Sequence, residues 1–358
     1  MSSGGLELLT IKIQQMTIES TNDNIPTTPA ITYSECYRLP FLSLYQIDVL
    51  EGLKNIPDKS QDLIIADPPY YKAINESWDK QWKTEVEYLD WCKLWFNECV
   101  RVLKDTGSFY CYGNFDILSK QKVLIFDKQL NFRQNITLNK GLKSIAGRTS
   151  DKLRMFPTAS EQLVFYINQN YSFQNNDSVN EVFKPIRKYL KDELKASGLK
   201  TKDCRRIMNL TIDAGGLRYF SDTSWMMISE VHYIALQTTG YFKMPYDKIC
   251  EWYKNLLFTF NLPYATTDVW DFTPDKVRYG HPTQKPQDIC QRIIKASSNE
   301  NDNVLIPFAG SGSEIVGCKE LKRNCIAFEI ESKYIDIIKQ RTNLDTKNGT
   351  KHCIYPVL

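Results

Sequence analysis

The chain has 358 residues, 42% of them hydrophobic and 24% charged, with a formal net charge of +3, the composition of an ordinary globular protein long enough for one large domain or a domain with an appendage. No apolar run approaches the roughly 20 residues of a membrane span, and the amino terminus lacks the charged-then-apolar order of a secretory signal. Ten cysteines without a C-x-x-C pair, and only three histidines to join them, predict reduced thiols, no metal site and a cytoplasmic protein.

Residues 1–35, rich in Thr, Ser and Asn with two prolines, are expected to form a flexible arm. Organised sequence starts near "LYQIDVL". Strand-like and helix-like segments then alternate: "LIIADPP", the amphipathic "EVEYLDWCKLWFNECVRVLK", and "GSFYCYGN". Such alternation predicts a parallel α/β sheet. In the helix, Tyr88, Trp91, Trp95 and Cys99 recur at helical spacing and read as its core face.

Two more strands, "FRQNITL" and "EQLVFYIN", flank a basic loop containing Lys140, Lys143, Arg148, Lys152 and Arg154. Residues 178–262 change character. There a helix ending near Gly198 and a second beginning after Thr201 are compatible with a helix-turn-helix or with a plain helical hairpin. "SWMMISEVHYIALQT" and "YDKICEWYKNLLFTF" suggest further helices. The α/β pattern resumes with "PQDICQRIIKASS", "NVLIPF", "SGSEIVGCKELK", "CIAFEI" and "SKYIDIIKQRTN". The expected organisation is therefore one α/β domain, 36–177 and 263–345, interrupted by a helical insert at 178–262 and followed by a tail at 346–358. Between Asn131 and Phe220 there are 16 Lys plus Arg against 8 Asp plus Glu, so the remainder is net acidic. A regional basic excess points to a polyanionic partner, with a solvated mixed-charge face as the competing reading.

Two stretches carry chemistry. In "LIIADPPYY" a buried strand stops on Asp67, Pro68, Pro69 and Tyr70. Prolines cannot donate to a neighbouring strand, so the turn places a carboxylate, stiff carbonyls and an aromatic ring at a strand's carboxyl end, where open α/β sheets bind ligands. In "VLIPFAGSGSE" a strand runs through Gly310 and Gly312 into a helix. Glu329 follows 19 residues after Gly310, close to the roughly 20-residue spacing at which an acidic side chain grips ribose. The loop implies a nucleoside-bearing cofactor.

"DPPY" at 67–70, "HPTQKP" at 281–286 and "FAGSG" at 308–312, in that order, resemble the β-class amino-methyltransferases of DNA. The similarity covers roughly 44–166 and 268–340 and includes "WD" at 78–79. It departs from the family at Ile306, where an aspartate is usual, and at Ser313, often threonine. The resemblance implies a Rossmann-like doubly wound sheet of the class I methyltransferase type, with the catalytic motif first and the cofactor loop last. It implies S-adenosylmethionine as cofactor, held by Asp48, Asp67, Pro282, Thr283, Lys285, Phe308, Ala309, Gly310, Ser311, Gly312 and Glu329. Capping of a following helix is the competing reading for Asp48, and simple exposure for Lys285. Asp67 at the first motif position is typical of adenine N6 methylation. Alternatives are cytosine N4 or RNA adenine methylation, or a non-catalytic nucleic-acid-binding subunit. The expected partner is double-stranded DNA, contacted by Lys140, Lys143, Arg148 and Arg154 of the basic loop and by Lys202, Arg205 and Arg206 of the insert. A homodimer and a cognate restriction enzyme are further partners such proteins have.

Overall fold

Short runs rich in Val, Ile, Leu and aromatic residues suit a pleated surface covered on both sides. In the computed structural model nine of them, among the described residues, join in one sheet. The residues described are 35–72, 80–145, 153–168, 182–210, 218–222, 224–262, 266–272, 275 and 277–344. The chain divides into two units, Met1–Thr32 and Tyr33–Leu358. The expected arm, Glu35 apart, and the expected tail lie outside the described residues, as does "WD" at 78–79.

In chain order the strands are β1 (Glu35–Leu39), β2 (Leu42–Gln46), β3 (Gln61–Ala66), β4 (Leu103–Gly113), β5 (Asn131–Asn139), β6 (Ser160–Ile167), β7 (Val269–Asp271), β8 (Asn303–Ile306) and β9 (Asn324–Glu329). Their spatial order is β1-β2-β9-β8-β3-β4-β6-β5-β7. Strands β2, β9, β8, β3 and β4 run parallel, whereas β6 is antiparallel to both β4 and β5. The reversal of β6 matters for function. Its first residues pair with the last of β5, Ser160 with Asn139 and Glu161 with Leu138, so they lie at the edge where the parallel strands end. Neighbours β8 and β3 lead to opposite halves of the sheet, to β9 and to β4 respectively, which makes the crevice between them the switch point of a doubly wound fold.

Alternation along β3 divides the core. Ile64 and Ala66 pack under α1 (Val49–Leu53), α2 (Glu85–Val102) and α3 (Phe115–Leu124). Helix α2 starts where Thr84 Oγ1 accepts the Glu87 N–H at 3.2 Å, with Glu85 and Glu87 at the positive end of the helix dipole. It buries Tyr88, Cys92, Trp95, Phe96, Cys99 and Val102, each large side chain contributing about 1.5–3 kcal/mol. Trp91, expected in that face, is half-buried, packs against it and also reaches the Phe308 ring, with centroids 5.7 Å apart.

Helices α4 (Lys184–Ser197), α5 (Thr201–Ile207), α6 (Glu230–Gln237) and α7 (Tyr246–Asn255) follow. They enclose a core of their own around Ile186, Leu190, Cys204, Tyr233, Leu236, Phe242 and Ile249. Pro185 opens α4, and Gly198, at φ 67°, closes it in the left-handed conformation that glycine tolerates. The helix expected from Ser224 begins only at Glu230. Trp225 and Ile228 reach the insert core from an extended segment instead.

The other face of the sheet, with Leu63 and Ile65, is covered by α8 (Gln287–Ser297), α9 (Ser313–Glu320) and α10 (Ser332–Thr342). Ile306, the departure from the family's aspartate, is 1% exposed in this apolar layer. Among the described residues no helix is long and apolar enough to cross a membrane.

Candidate active site

Beyond Ala66 the chain leaves the sheet at its carboxyl edge through Asp67, Pro68, Pro69 and Tyr70. Tyr88 of α2 donates its hydroxyl to the Pro69 carbonyl at 2.6 Å, fixing the turn. Tyr71 and Lys72 then adopt φ of 54° and 57°, a conformation uncommon for residues with a Cβ and often found beside functional sites.

Asp67 sits in a cluster of charges. Its Oδ1 accepts hydrogen bonds from Tyr70 Oη at 2.6 Å and from Lys285 Nζ at 2.8 Å, and its Oδ2 is also 2.8 Å from Nζ. The ammonium donates to Tyr70 Oη as well, at 3.0 Å, and lies 4.0 Å from Glu161 Oε2. Glu161 in turn accepts Lys140 Nζ on Oε1 at 2.7 Å. Two carboxylates and two ammonium groups thus alternate, and their charges cancel. Burial alone would depress the Lys285 ammonium, but Asp67 and Glu161 outweigh it and hold the group above the usual lysine range. Burial opposes ionisation of Glu161, yet Lys285 and Lys140 keep its carboxyl below the ordinary value. The Tyr70 hydroxyl is pushed well up, by burial first and then by the Asp67 and Glu161 charges, so it remains a donor.

At the end of neighbouring β8, Gly310 and Gly312 take φ of 51° and 77°. A Cβ on Gly310 would come 3.1 Å from His281 Nε2, and one on Gly312 2.8 Å from Ile338 Cγ1. Both positions therefore need glycine for conformation and for space. The Gly310 N–H donates to Glu329 Oε2 at 2.7 Å, and the Glu331 N–H to Glu329 Oε1 at 2.8 Å. Burial nevertheless pushes the Glu329 carboxyl up to about 7, against those two amides. Arg341 of α10 clamps the loop, donating to the Ser311 carbonyl at 2.6 Å and to Ser313 Oγ at 3.2 Å.

The fold gathers Asp67, Tyr70, Lys285, Phe308, Ala309, Gly310, Ser311, Gly312 and Glu329 along the ends of β3, β8 and β9. Asp48 follows Ile47, whose N–H donates to the Glu329 carbonyl. Its side chain caps α1, accepting the Leu50 N–H at 2.9 Å. Lys285, expected at the cofactor, contacts Asp67 directly. Pro282 is exposed, and the Thr283 N–H donates to His281 Nδ1 at 3.2 Å. Lys140, expected on DNA, is tied to Glu161. Lys143 falls in a short turn, Leu142–Ile145, and Arg148 and Lys152 lie outside the described residues. Arg154, Lys202 and Arg206 are exposed, and Arg205 is half-buried.

Sequence reasoning misses Glu161, His281, Arg341 and Glu314. A lone carboxylate opening the apolar strand "EQLVFYI" is the available signal for Glu161. His281, pushed down to about 4 by burial and by Lys285, Lys333 and Arg341, is neutral at physiological pH. Glu314, buried at the start of α9, is raised by burial and then by Asp67.

A family model described as DNA methylase matches residues 61–340. The chain is 26% identical over 319 residues to the type II methyltransferase M.HinfI of Haemophilus influenzae, covering 82% of this chain and 66% of that protein. It is 27% identical over 306 residues to the DNA adenine methyltransferase YhdJ of Escherichia coli strain K12, covering 83% and 81%. The solved PvuII DNA methyltransferase, cytosine-N4-specific, shares the fold at a TM-score of 0.50 and 15% identity over 92% of this chain and 93% of that one. The matched span runs from β3 into α10 and holds the Asp67 turn, Lys285, the glycine loop and Glu329, so the chain belongs to the DNA methylase family.

Proposed function

We propose that the chain transfers a methyl group from S-adenosylmethionine to the exocyclic N6 amine of adenine in double-stranded DNA, acting on a base turned out of the stack. The observation that carries this reading is the Asp67 turn lying at the strand end next to the Gly310–Gly312 loop, across the switch point of the sheet. Aspartate at the first motif position and the adenine activity named for the YhdJ relative favour adenine. Nucleoside mass spectrometry of DNA incubated with the protein and S-adenosylmethionine tests it. N6-methyladenine is expected, N4-methylcytosine would reassign the base, and an unmodified product from every DNA offered would refute the reading.

The residues present fit the cofactor. Phe308, Ala309 and the two glycines form a tight turn from β8 into α9, and beside it Glu329 offers a buried carboxylate, with an elevated pKa, for ribose hydroxyls. When bound, S-adenosylmethionine supplies an electrophilic methyl on sulfur. Glu329→Gln is expected to weaken its binding by about 1.5–3 kcal/mol, the value of a charge-assisted hydrogen bond. Because burial pushes the ligand-free carboxyl up to about 7, ionisation on raising the pH makes it a stronger acceptor for ribose hydroxyls. Wild-type affinity should therefore rise from pH 6 to pH 8, while the variant's stays flat. Calorimetry at both pH values checks this, and equal pH dependence in the two proteins would move the ribose contact elsewhere.

An exocyclic amine is a weak nucleophile because its lone pair is delocalised into the ring. Acceptance of its two N–H bonds by the Asp67 carboxylate and the Pro68 carbonyl lets the nitrogen pyramidalise and direct that pair outward, a positioning and electrostatic effect that needs no covalent intermediate. Tyr70 offers a flat surface to the everted base, and its hydroxyl steadies Asp67. The proton released from the methylated nitrogen has Asp67 as its nearest acceptor.

For the duplex, we assign phosphate contacts to the insert. Lys202 and Arg206 of α5 are exposed, with Arg206 only loosely paired to Asp203 at 3.9 Å. Reversing both to Glu is expected to weaken binding to all DNA sequences and to reduce the salt slope by about 1 for each phosphate no longer neutralised. Titrations at several salt concentrations decide it, and unchanged slopes would leave these cations as a solvated face.

A further inference from the structure

Asp67 must receive N–H groups from the base, yet one ammonium spans both its oxygens at 2.8 Å and the Tyr70 hydroxyl takes another lone pair. A carboxylate offers about four acceptor sites; Lys285 and Tyr70 take three, so an arriving amine finds one left, on an oxygen already bound to the buried cation. Lys285 has a second carboxylate within reach. Glu161 Oε2 lies 4.0 Å from Nζ, on a side chain only 15% exposed. Lys140 holds its other oxygen at 2.7 Å. A displacement of about 1 Å would turn that separation into a charge-assisted hydrogen bond.

We propose that Glu161 is a positioning residue for methyl transfer: it draws the Lys285 ammonium off one oxygen of Asp67 as the target amine arrives, freeing that oxygen for the base. The inference rests on the methyltransferase reading above. The reversed direction of β6 is what makes it feasible, since it delivers Glu161 to the same sheet edge as Asp67. The shift costs little because Asp67, Lys285, Glu161 and Lys140 together carry no net charge, so the ammonium moves between two anions without leaving either as an isolated buried charge. Lys140 serves as the outer anchor that keeps Glu161 from collapsing onto Lys285 in the resting state.

The test is steady-state kinetics of the full chain on DNA, with wild type, Glu161→Gln, Glu161→Asp, Lys285→Gln and the Glu161→Gln/Lys285→Gln pair, alongside thermal melts and calorimetric binding of S-adenosylmethionine. Glu161→Gln is expected to lower kcat about tenfold or more, below the full cost of about 10²–10³ for losing a preorganised contact outright. Cofactor affinity should stay within about twofold, because the carboxylate acts on Asp67's partner and not on the loop. Glu161→Asp keeps the charge one bond length further off and should fall between the two, a comparison that stands even if the Gln variant fails to fold. In the Lys285→Gln background, loss of Glu161 should add almost nothing, the signature of one residue acting through the other. Wild-type kcat in Glu161→Asp or Glu161→Gln, or a fully additive loss in the pair, would overturn the role of Glu161 while leaving the enzyme reading intact. A wild-type protein that methylates no DNA would instead sink the functional reading and this inference with it.

Discussion

Asp67→Ala is expected to remove nearly all methyl transfer, by about 10²–10³ at least, the usual cost of one preorganised electrostatic contact at a reacting atom. The loss falls on kcat. In the proposed reaction the carboxylate accepts an amine hydrogen, and the neighbouring Pro69 carbonyl is already engaged by Tyr88 at 2.6 Å. Cofactor binding should suffer far less than transfer, since Glu329 and the glycine loop keep their own hydrogen bonds. The fold should persist too, because Lys285 retains Glu161 at 4.0 Å as counter-charge. Single-turnover transfer, read beside calorimetry and a thermal melt, separates these effects. Turnover near the wild-type level would remove Asp67 from the chemistry.

Lys285→Met should act on stability as well as activity. The side chain is 5% exposed and lies within 4.0 Å of two carboxylates. Deleting the cation leaves Asp67 with only the Tyr70 hydroxyl and Glu161 with only Lys140, and breaking a buried pair by removing one partner typically costs about 3–5 kcal/mol. The pH dependence gives the sign. In the wild type, Lys285 and Lys140 hold the Glu161 carboxyl below its ordinary value. That group therefore stabilises the fold above its unfolded pKa, and the contribution fades as pH falls through the lower folded value. Without Lys285 the buried Glu161 carboxyl loses its largest counter-charge, so its ionisation costs the folded variant stability as pH rises. Its deficit relative to wild type should be larger at pH 8 than at pH 5. Urea unfolding at the two values measures it, and an equal deficit at both would show that Lys285 contributes packing and not charge.

Much of the scaffold is readable from neighbours in the chain. An apolar run that alternates between two covered faces, two prolines that end it, and glycines where φ must be positive are local requirements, each met within a few residues. The expected parallel α/β sheet and the grouping of "DPPY" with the glycine loop at one edge derive from such features and from strand direction. Periodicity makes helix α6 too long because Trp225 and Ile228 have helical spacing with Val231 and Ala235. An extended segment buries the first two in the insert core without a helix.

The partners of the charged groups are a different matter. Lys285 of "HPTQKP" reads as a cofactor contact through the resemblance and as an exposed side chain without it, and its contact with Asp67 spans 218 residues. Glu161 opens a strand whose apolar pattern says only that it is buried. Lys140 belongs to a basic loop and reads as a DNA contact. What brings them together is the order β8-β3-β4-β6-β5 and the reversal of β6. Periodicity carries information about which face a residue takes, because side-chain direction is set by its own backbone. It carries none about which carboxylate meets which ammonium across the sheet, because that depends on strand order and register. By itself, therefore, the sequence determined the fold class and singled out the Asp67 turn and the glycine loop, while the tertiary structure alone decided that Lys285 lies on Asp67 and 4.0 Å from Glu161.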